Sequence, residues 1–215
     1  MMETKCGERT TQSAIFPLYI YSDSFGANSR RLNLDRKILS KFETIINGKI
    51  ADSDEADFRP ETLIDYLYGV LYSRKYREKY KDFLKMNFPK VPYPKNRDEF
   101  CTMSEFGHKL RNIHLLEANL NCDAITFGGD GNNYIERVKY EAGKIYINKT
   151  QYFENVSEDA WNMNIGGYNP LQKWMKDRKL TIMTEGRVEH YKYMIIALEK
   201  TKAIMDEIDE YYEVI

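Results

Sequence analysis

The chain has 215 residues, of which 30% are charged, and a formal net charge of -1. It is long enough to bury a core, and no global field drives it toward a polyanion. It has no apolar run near the roughly 20 residues of a membrane span, the N-terminal MMETKCGERTTQ has no apolar centre like that of a signal peptide, and Cys6, Cys101 and Cys122 show no metal-ligand spacing, so the chain reads as a soluble cytoplasmic protein with reduced thiols.

Residues 1–13 read as a disordered lead-in. Ala14–Tyr21 is an apolar, β-rich run interrupted by Pro17, which cannot donate a ladder hydrogen bond and so predicts an edge strand. Ser22–Arg31 reads as a turn-rich loop, and Leu32–Asn47 carries the periodicity of one helix (Leu34, Ile38, Phe42, Ile45, Ile46). A stronger helix starts at Arg59-Pro60-Glu61, with proline in the first turn where its missing N–H costs nothing. Its apolar positions are Leu63, Ile64, Leu67, Val70 and Leu71.

After Ser73 the phase changes. Tyr72, Tyr76, Tyr80 and Phe83 share one side, while Arg74, Arg77, Lys81 and Lys85 share the side that the preceding helix makes apolar. One straight helix cannot bury both, so a break is predicted at Ser73, with Ser73 capping the second segment. Pro89, Pro92 and Pro94 then force Asn87–Pro94 into an extended path. Asp98–Leu120 returns to helix, with Phe100, Met103, Phe106, Leu110, Ile113, Leu116 and Leu120 inward.

Ala124–Asn133 reads as a glycine-rich turn. Tyr134–Tyr140 and Lys144–Asn148 form a hairpin through Glu141-Ala142-Gly143, and Gln151–Val156 adds a strand. Trp161–Tyr168 reads as a short strand into a double-glycine turn, Pro170–Lys176 as a short helix, and Arg187–Tyr212 as a long amphipathic helix. The fold class is α+β, with helices packed on small antiparallel sheets. Residues 14–215 form the working domain, with room for two lobes, 14–120 mainly helical and 121–215 hairpin plus helices.

Several chemistries lack their residues. No GxxxxGK[ST] loop is present, and Gly128-Gly129-Asp130-Gly131 precedes a strand instead of the helix N-terminus that phosphate loops use. His108, His114 and His190 are too scattered for a metal or catalytic cluster. Asp177-Arg178-Lys179 and Asp35-Arg36-Lys37 each fit only the D-x-K half of a metal-nuclease pattern.

The positive charge is local. Ser73–Arg97 holds nine Lys/Arg, two acids and five aromatics in 25 residues, whereas Asp52–Asp65 and Glu199–Ile215 each hold six acids. Basic residues interleaved with aromatics suit nucleic acid; the plainer reading is a solvated basic helix with its tyrosines on a core. The candidate contacts are Arg74, Arg77, Lys81, Lys85, Lys90, Lys95 and Arg97, then Arg137, Lys139, Lys144 and Lys149 on the hairpin. A third group is Asn162, Asn164, Gly166, Gly167, Tyr168, Lys173, Lys176, Arg178 and Lys179. Glycines there allow close backbone approach, and Asn162, Asn164, Asn169 and Gln172 have the amides that suit adenine edges. In turns, such amides mostly bond to local backbone.

Three stretches together resemble one family. Leu63–Pro94 is similar to a segment near the C-terminus of type ISP and related single-chain restriction–modification enzymes: a D-Y-x-Y-x-V-L-x-S helix, a Y-R-x-K-Y-x-x-F-L run and F-P-[RK]-[IV]-P-x-P. Tyr146–Phe153, YINKTQYF, resembles that family's hairpin exit, and Trp161–Lys179 resembles its W-x-[FM]-x-I-G-G-Y followed by K-W-[LM]-K-D-R-K. The order and spacing agree over residues 14–212.

The resemblance implies a C-terminal target recognition domain, which reads double-stranded DNA beside an adenine-N6 methyltransferase domain of the same enzyme. The chain lacks the methyltransferase glycine motif and an N-P-P-[YF] motif; Asn169-Pro170-Leu171 is not one. It is therefore expected to be an isolated domain or the product of a truncated gene, with no methyl transfer, cleavage or ATP hydrolysis of its own. No cofactor is expected in this chain, since S-adenosylmethionine belongs to the methyltransferase domain. Two alternatives remain at this point: a protein-interaction module with a basic docking helix, and a metal nuclease using Asp177 and Lys179.

Overall fold

The computed structural model describes residues 4–6, 13–21 and 30–214. They form eight helices and eight short strands and divide into two compact units, residues 1–108 with 212–215, and residues 109–211. The lead-in expected over 1–13 falls largely outside the described residues, as does most of the loop expected over 22–31.

In the first unit, β1 (Thr4–Cys6) pairs antiparallel with β2 (Ser13–Ile15), and β3 (Tyr19–Tyr21) with β4 (Arg30–Leu32). Pro17 falls between β2 and β3, so the run expected as one strand is two. Asp35 caps α1 (Arg36–Ile46), its carboxylate accepting from the Lys37 and Ile38 amides at 2.8 and 3.2 Å. Asp35 thereby serves as the helix cap. Asn47, at φ 47°, ends the helix in the left-handed region.

Helix α2 (Pro60–Tyr72) stops at Ser73, where ψ turns to 124°. The Ser73 hydroxyl accepts from the Tyr76 amide at 3.1 Å and starts α3 (Arg74–Lys79). The predicted break is present, and a second one follows: Tyr80 leaves helical geometry and separates α4 (Lys81–Met86). The proline segment is extended, as expected. Two buried tyrosines fasten it, Tyr66 donating to the Pro92 carbonyl and Tyr76 to that of Lys90, both at 3.0 Å.

Asn96 and Glu99 box the start of α5 (Arg97–His114), with the Glu99 amide donating to Asn96 Oδ1 and the Lys95 amide to Glu99 Oε1. The core joins Phe42, Tyr66, Phe100 and Met103, with Tyr66 and Phe100 ring centroids 5.5 Å apart. Glycines let α2 and α5 touch along their backbones: a Cβ on Gly107 would sit 1.8 Å from the Asp65 carbonyl oxygen, and one on Gly69 2.4 Å from that of Met103.

In the second unit, α5 ends at His114, short of the Leu120 expected. Leu116 takes φ 62° and is exposed, so the chain has already turned. A four-stranded antiparallel sheet follows in the order β5 (Thr126–Gly128), β8 (Tyr152–Glu154), β7 (Lys144–Tyr146), β6 (Lys139–Glu141). Strand β5 lies inside the stretch read as a glycine turn. The β6–β7 turn places Ala142 and Gly143 at φ 48° and 78°, the double positive φ that a two-residue hairpin requires.

Ser157 caps α6 (Glu158–Asn162), so Trp161 and Asn162 are helical and not on the strand expected there. After α7 (Pro170–Asp177), α8 (Glu185–Tyr211) lays Val188, Tyr191, Ile195 and Leu198 on a core with Ile145, Phe153, Leu171 and Met175. His114 is held by the same helix. Thr201 donates to the Ala197 carbonyl at 2.7 Å, which leaves its oxygen to accept from His114 Nε2 at 2.9 Å.

Two predictions follow from this packing. Gly107→Ala should destabilise the chain by about 1–3 kcal/mol or more through backbone overlap, whereas Gly186→Ala, in the open first turn of α8, should be neutral or slightly stabilising; urea unfolding compares them. Burial holds His114 below its ordinary value of 6.5, so its contribution is complete above 6.5 and is lost as pH falls from 6.5 through the folded value. His114→Gln should remove that part of the acid sensitivity in unfolding midpoints measured against pH.

Candidate nucleic-acid interface

The basic stretch of the first unit splits its charge as the helix phase predicts. Arg74, Lys81 and Lys85 are exposed, Arg77 is half-buried, and Tyr76 is fully buried on the opposite side. Both acids of the stretch neutralise lysines one turn away: Glu78 pairs with Lys81 at 3.3 Å and Asp82 with Lys85 at 3.0 Å. These pairs are solvent-exposed and of little energetic value, so a phosphate can displace them.

Other cations there have structural partners. Arg77 reaches the Tyr72 carbonyl at 3.4 Å, and Lys90 lies 5.3 Å from the Phe83 ring centroid. Lys95 pairs with Glu213 at 3.5 Å and Glu99 at 3.9 Å. Arg97 donates to the Asn47 and Ile46 carbonyls at the end of α1, at 3.0 and 3.5 Å, and stacks 4.8 Å from the Phe58 ring. Its guanidinium satisfies carbonyls that α1 leaves open.

The sheet of the second unit has two unlike faces. Tyr140, Ile145 and Phe153 point into the core. The other face carries Lys139, Glu141, Lys144, Tyr146, Tyr152 and Glu154, in the alternation that a half-buried sheet requires. Lys144 sits 3.9 Å over the Tyr152 ring and 3.1 Å from Glu154, and the Tyr146 and Tyr152 rings lie 5.3 Å apart. A concavity at the β6–β7 side is lined by Glu136, Arg137, Lys139, Glu141 and Tyr146, with Asn148 and Lys149. Glu136, Tyr146 and Tyr152 were not singled out in the sequence; alternation from the buried Ile145 and Phe153 is the signal that finds the two tyrosines.

The glycine loop before this sheet is a packing feature. Gly129 has φ 91° and passes so close to Thr150 that a Cβ would meet its carbonyl oxygen at 2.0 Å. Buried Gln151 accepts from the Asn133 amide at 2.8 Å and from Asn148 Nδ2 at 3.0 Å, and it donates to Asn133 Oδ1. Asn148 thereby belongs to the scaffold.

In the third group, most amides serve their own loop. Asn164 Oδ1 accepts from the Gly167 amide, Asn169 bonds to the Asn162 and Met163 carbonyls, and Gln172 to that of Trp161. Ile165 and Tyr168 bridge across Gly166-Gly167 (φ 62° and 90°), leaving Tyr168 half-exposed at the tip. Lys173 pairs with Asp177 at 2.7 Å, and Arg178 stacks 4.0 Å over Trp174 while donating to its carbonyl. Asn162, Lys176 and Lys179 are exposed. Among the described residues, no three His, Cys, Asp or Glu side chains converge as a metal site, and no helix is long and apolar enough to cross a membrane.

The sequence pattern of the type ISP C-terminal specificity domain matches residues 1–207. The chain belongs to that family. The match fills nearly all 215 residues.

No curated protein matches this type ISP specificity domain in sequence. Among solved structures, it is similar to part of the ATP-dependent type ISP restriction–modification enzyme LlaBIII bound to DNA, at 17% identity and a TM-score of 0.64 over 88% of this chain. A DrdV–DNA complex gives 16% and 0.73 over 95%, and a nuclease-deletion mutant of the type ISP enzyme LlaGI with a DNA substrate mimic gives 20% and 0.57 over 74%. These likenesses are of fold. The chain spans 13%, 22% and 14% of those proteins.

The geometry separates scaffold cations from available ones. Arg97→Ala should lower the unfolding free energy of the chain by about 1.5–3 kcal/mol, the range for hydrogen bonds from a charged donor. Lys85→Ala, which loses only an exposed ion pair, should change it by less than about 0.5 kcal/mol. Denaturant titration of both variants checks the distinction.

Proposed function

We propose that this chain is the duplex-DNA recognition module of a restriction–modification enzyme. The observation that carries the reading is the open sheet face of the second unit, where Lys144 and the Tyr146–Tyr152 pair stand beside a concavity holding Arg137 and Lys149. A half-exposed face that is polar, aromatic and cationic offers both phosphate contacts and flat surfaces. Membership in a specificity-domain family, and a fold shared with enzymes solved on DNA, support it.

In this reading Arg74, Lys81 and Lys85 bind phosphates and set register. Lys149, Lys176 and Lys179 do the same from the second unit, and Tyr168 and the Gly166-Gly167 turn approach the backbone. Arg97 and Arg178 hold the scaffold that presents them. S-adenosylmethionine, methyl transfer and cleavage belong to other parts of a larger cytoplasmic enzyme, and base flipping accompanies that chemistry.

Fluorescence anisotropy with duplex DNA across a salt series tests the proposal. Affinity should fall as salt rises, and Lys81→Ala should weaken all sequences alike while reducing the log–log salt slope by about 0.9, the value for one phosphate contact. A chain whose duplex binding is absent at low salt, or independent of salt, would overturn it.

A further inference from the structure

The strand carrying β6 is irregular just before Lys139. The amides of Glu136 and Arg137 both donate to one carbonyl, that of Ile147, at 2.8 and 3.3 Å. Two residues facing one is a β-bulge, which re-aims side chains. Burial shows the effect. Ile135 is buried and Val138 and Tyr140 pack on the core, while Glu136, Arg137, Lys139 and Glu141 face outward. In a regular strand Glu136 and Arg137 would point to opposite faces; here both line the same concavity.

Their neighbours are occupied. Lys139 pairs with Glu141 at 2.7 Å, and the Asn148 amide donates to the Tyr134 carbonyl and to Gln151. The Glu136 carboxylate and the Arg137 guanidinium form no hydrogen bond or ion pair among the described residues. An arginine alone would suit a phosphate, but a bare carboxylate one residue away repels phosphate. An acceptor beside a planar donor fork instead matches a G·C pair in the major groove, where guanine offers O6 and N7 and cytosine offers its N4 amino group.

We infer that the Glu136–Arg137 bulge reads a G·C base pair of the target, Arg137 donating to guanine and Glu136 accepting from cytosine. This rests on the DNA-recognition reading above and moves base readout from Asn164, whose side chain holds its own turn, to the sheet.

The test is selection of duplexes from a random pool by the chain, followed by sequencing. The wild type should enrich a motif with a fixed G·C pair. Arg137→Ala and Glu136→Leu, which removes the acceptor, should each lower the preference at that pair about tenfold or more without changing other positions, and Lys149→Ala should weaken binding with the motif intact. Arg137→Lys, which keeps the charge but not the fork, should lose the same preference and serves if the alanine variant misfolds. Variants at both bulge positions that keep the wild-type motif would overturn the inference and leave DNA binding standing. So would a wild type that binds duplexes without any motif. A wild type that captures no duplex would overturn both.

Discussion

Tyrosine hydroxyls donating to backbone carbonyls tie this chain's irregular segments and helix ends to the elements around them. Tyr66 and Tyr76 fasten the proline segment, which has too few N–H groups to join a sheet. Tyr140 binds the Val156 carbonyl at 3.0 Å, Tyr191 that of Leu171 at 3.2 Å, and Tyr193 that of Ala118 at 3.0 Å. The Tyr66, Tyr76 and Tyr191 rings are fully buried and those of Tyr140 and Tyr193 half-buried, and a carbonyl buried under such a ring would cost about 1–3 kcal/mol if left bare. Burial raises the Tyr66 and Tyr191 hydroxyls well above their ordinary value, so they stay protonated and remain donors. Five of the 17 tyrosines thus serve as structural anchors in a fold rich in irregular backbone.

Periodicity made the helices legible. The phase conflict across Ser73 located a real break, because two apolar faces cannot share one straight helix. The positions of α1, α7 and α8 and the Ala142-Gly143 hairpin were equally readable from spacing and turn chemistry. The misses have local causes. Thr126–Gly128 was hidden because two glycines mask a strand whose support comes entirely from pairing with β8. Trp161 looked extended beside Gly166-Gly167, yet the Ser157 cap with Glu158 and Asp159 behind it outweighs that context. Leu116 belongs to the apolar repeat but lies beyond the point where the backbone turns.

Charge was less legible than shape. A sequence shows that a residue is cationic, not what it touches. Arg97 and Arg178 look like Lys85 and Lys179 in a composition count, but two close the open carbonyls of helices and two stand in solvent. Asn148 and Asn164 likewise look like base readers until their turn contacts are seen. An acid in a basic region carries no signal of its own in the sequence, and only the doubled hydrogen bond to Ile147 turns Glu136 to the same side as Arg137.

The two-faced sheet has a consequence for how such a module changes over time. Ile145 and Phe153 carry the stability of β7 and β8 from one side, and the Gln151 network holds the adjoining loop from behind. Side chains on the outer side lie off the core: exchanging them leaves core volume unchanged and costs only cross-strand pairs such as Tyr146–Tyr152, worth about 0.2–1 kcal/mol each. A surface of this kind can explore new chemistries one residue at a time while the domain beneath it stays folded, which makes it an evolvable one.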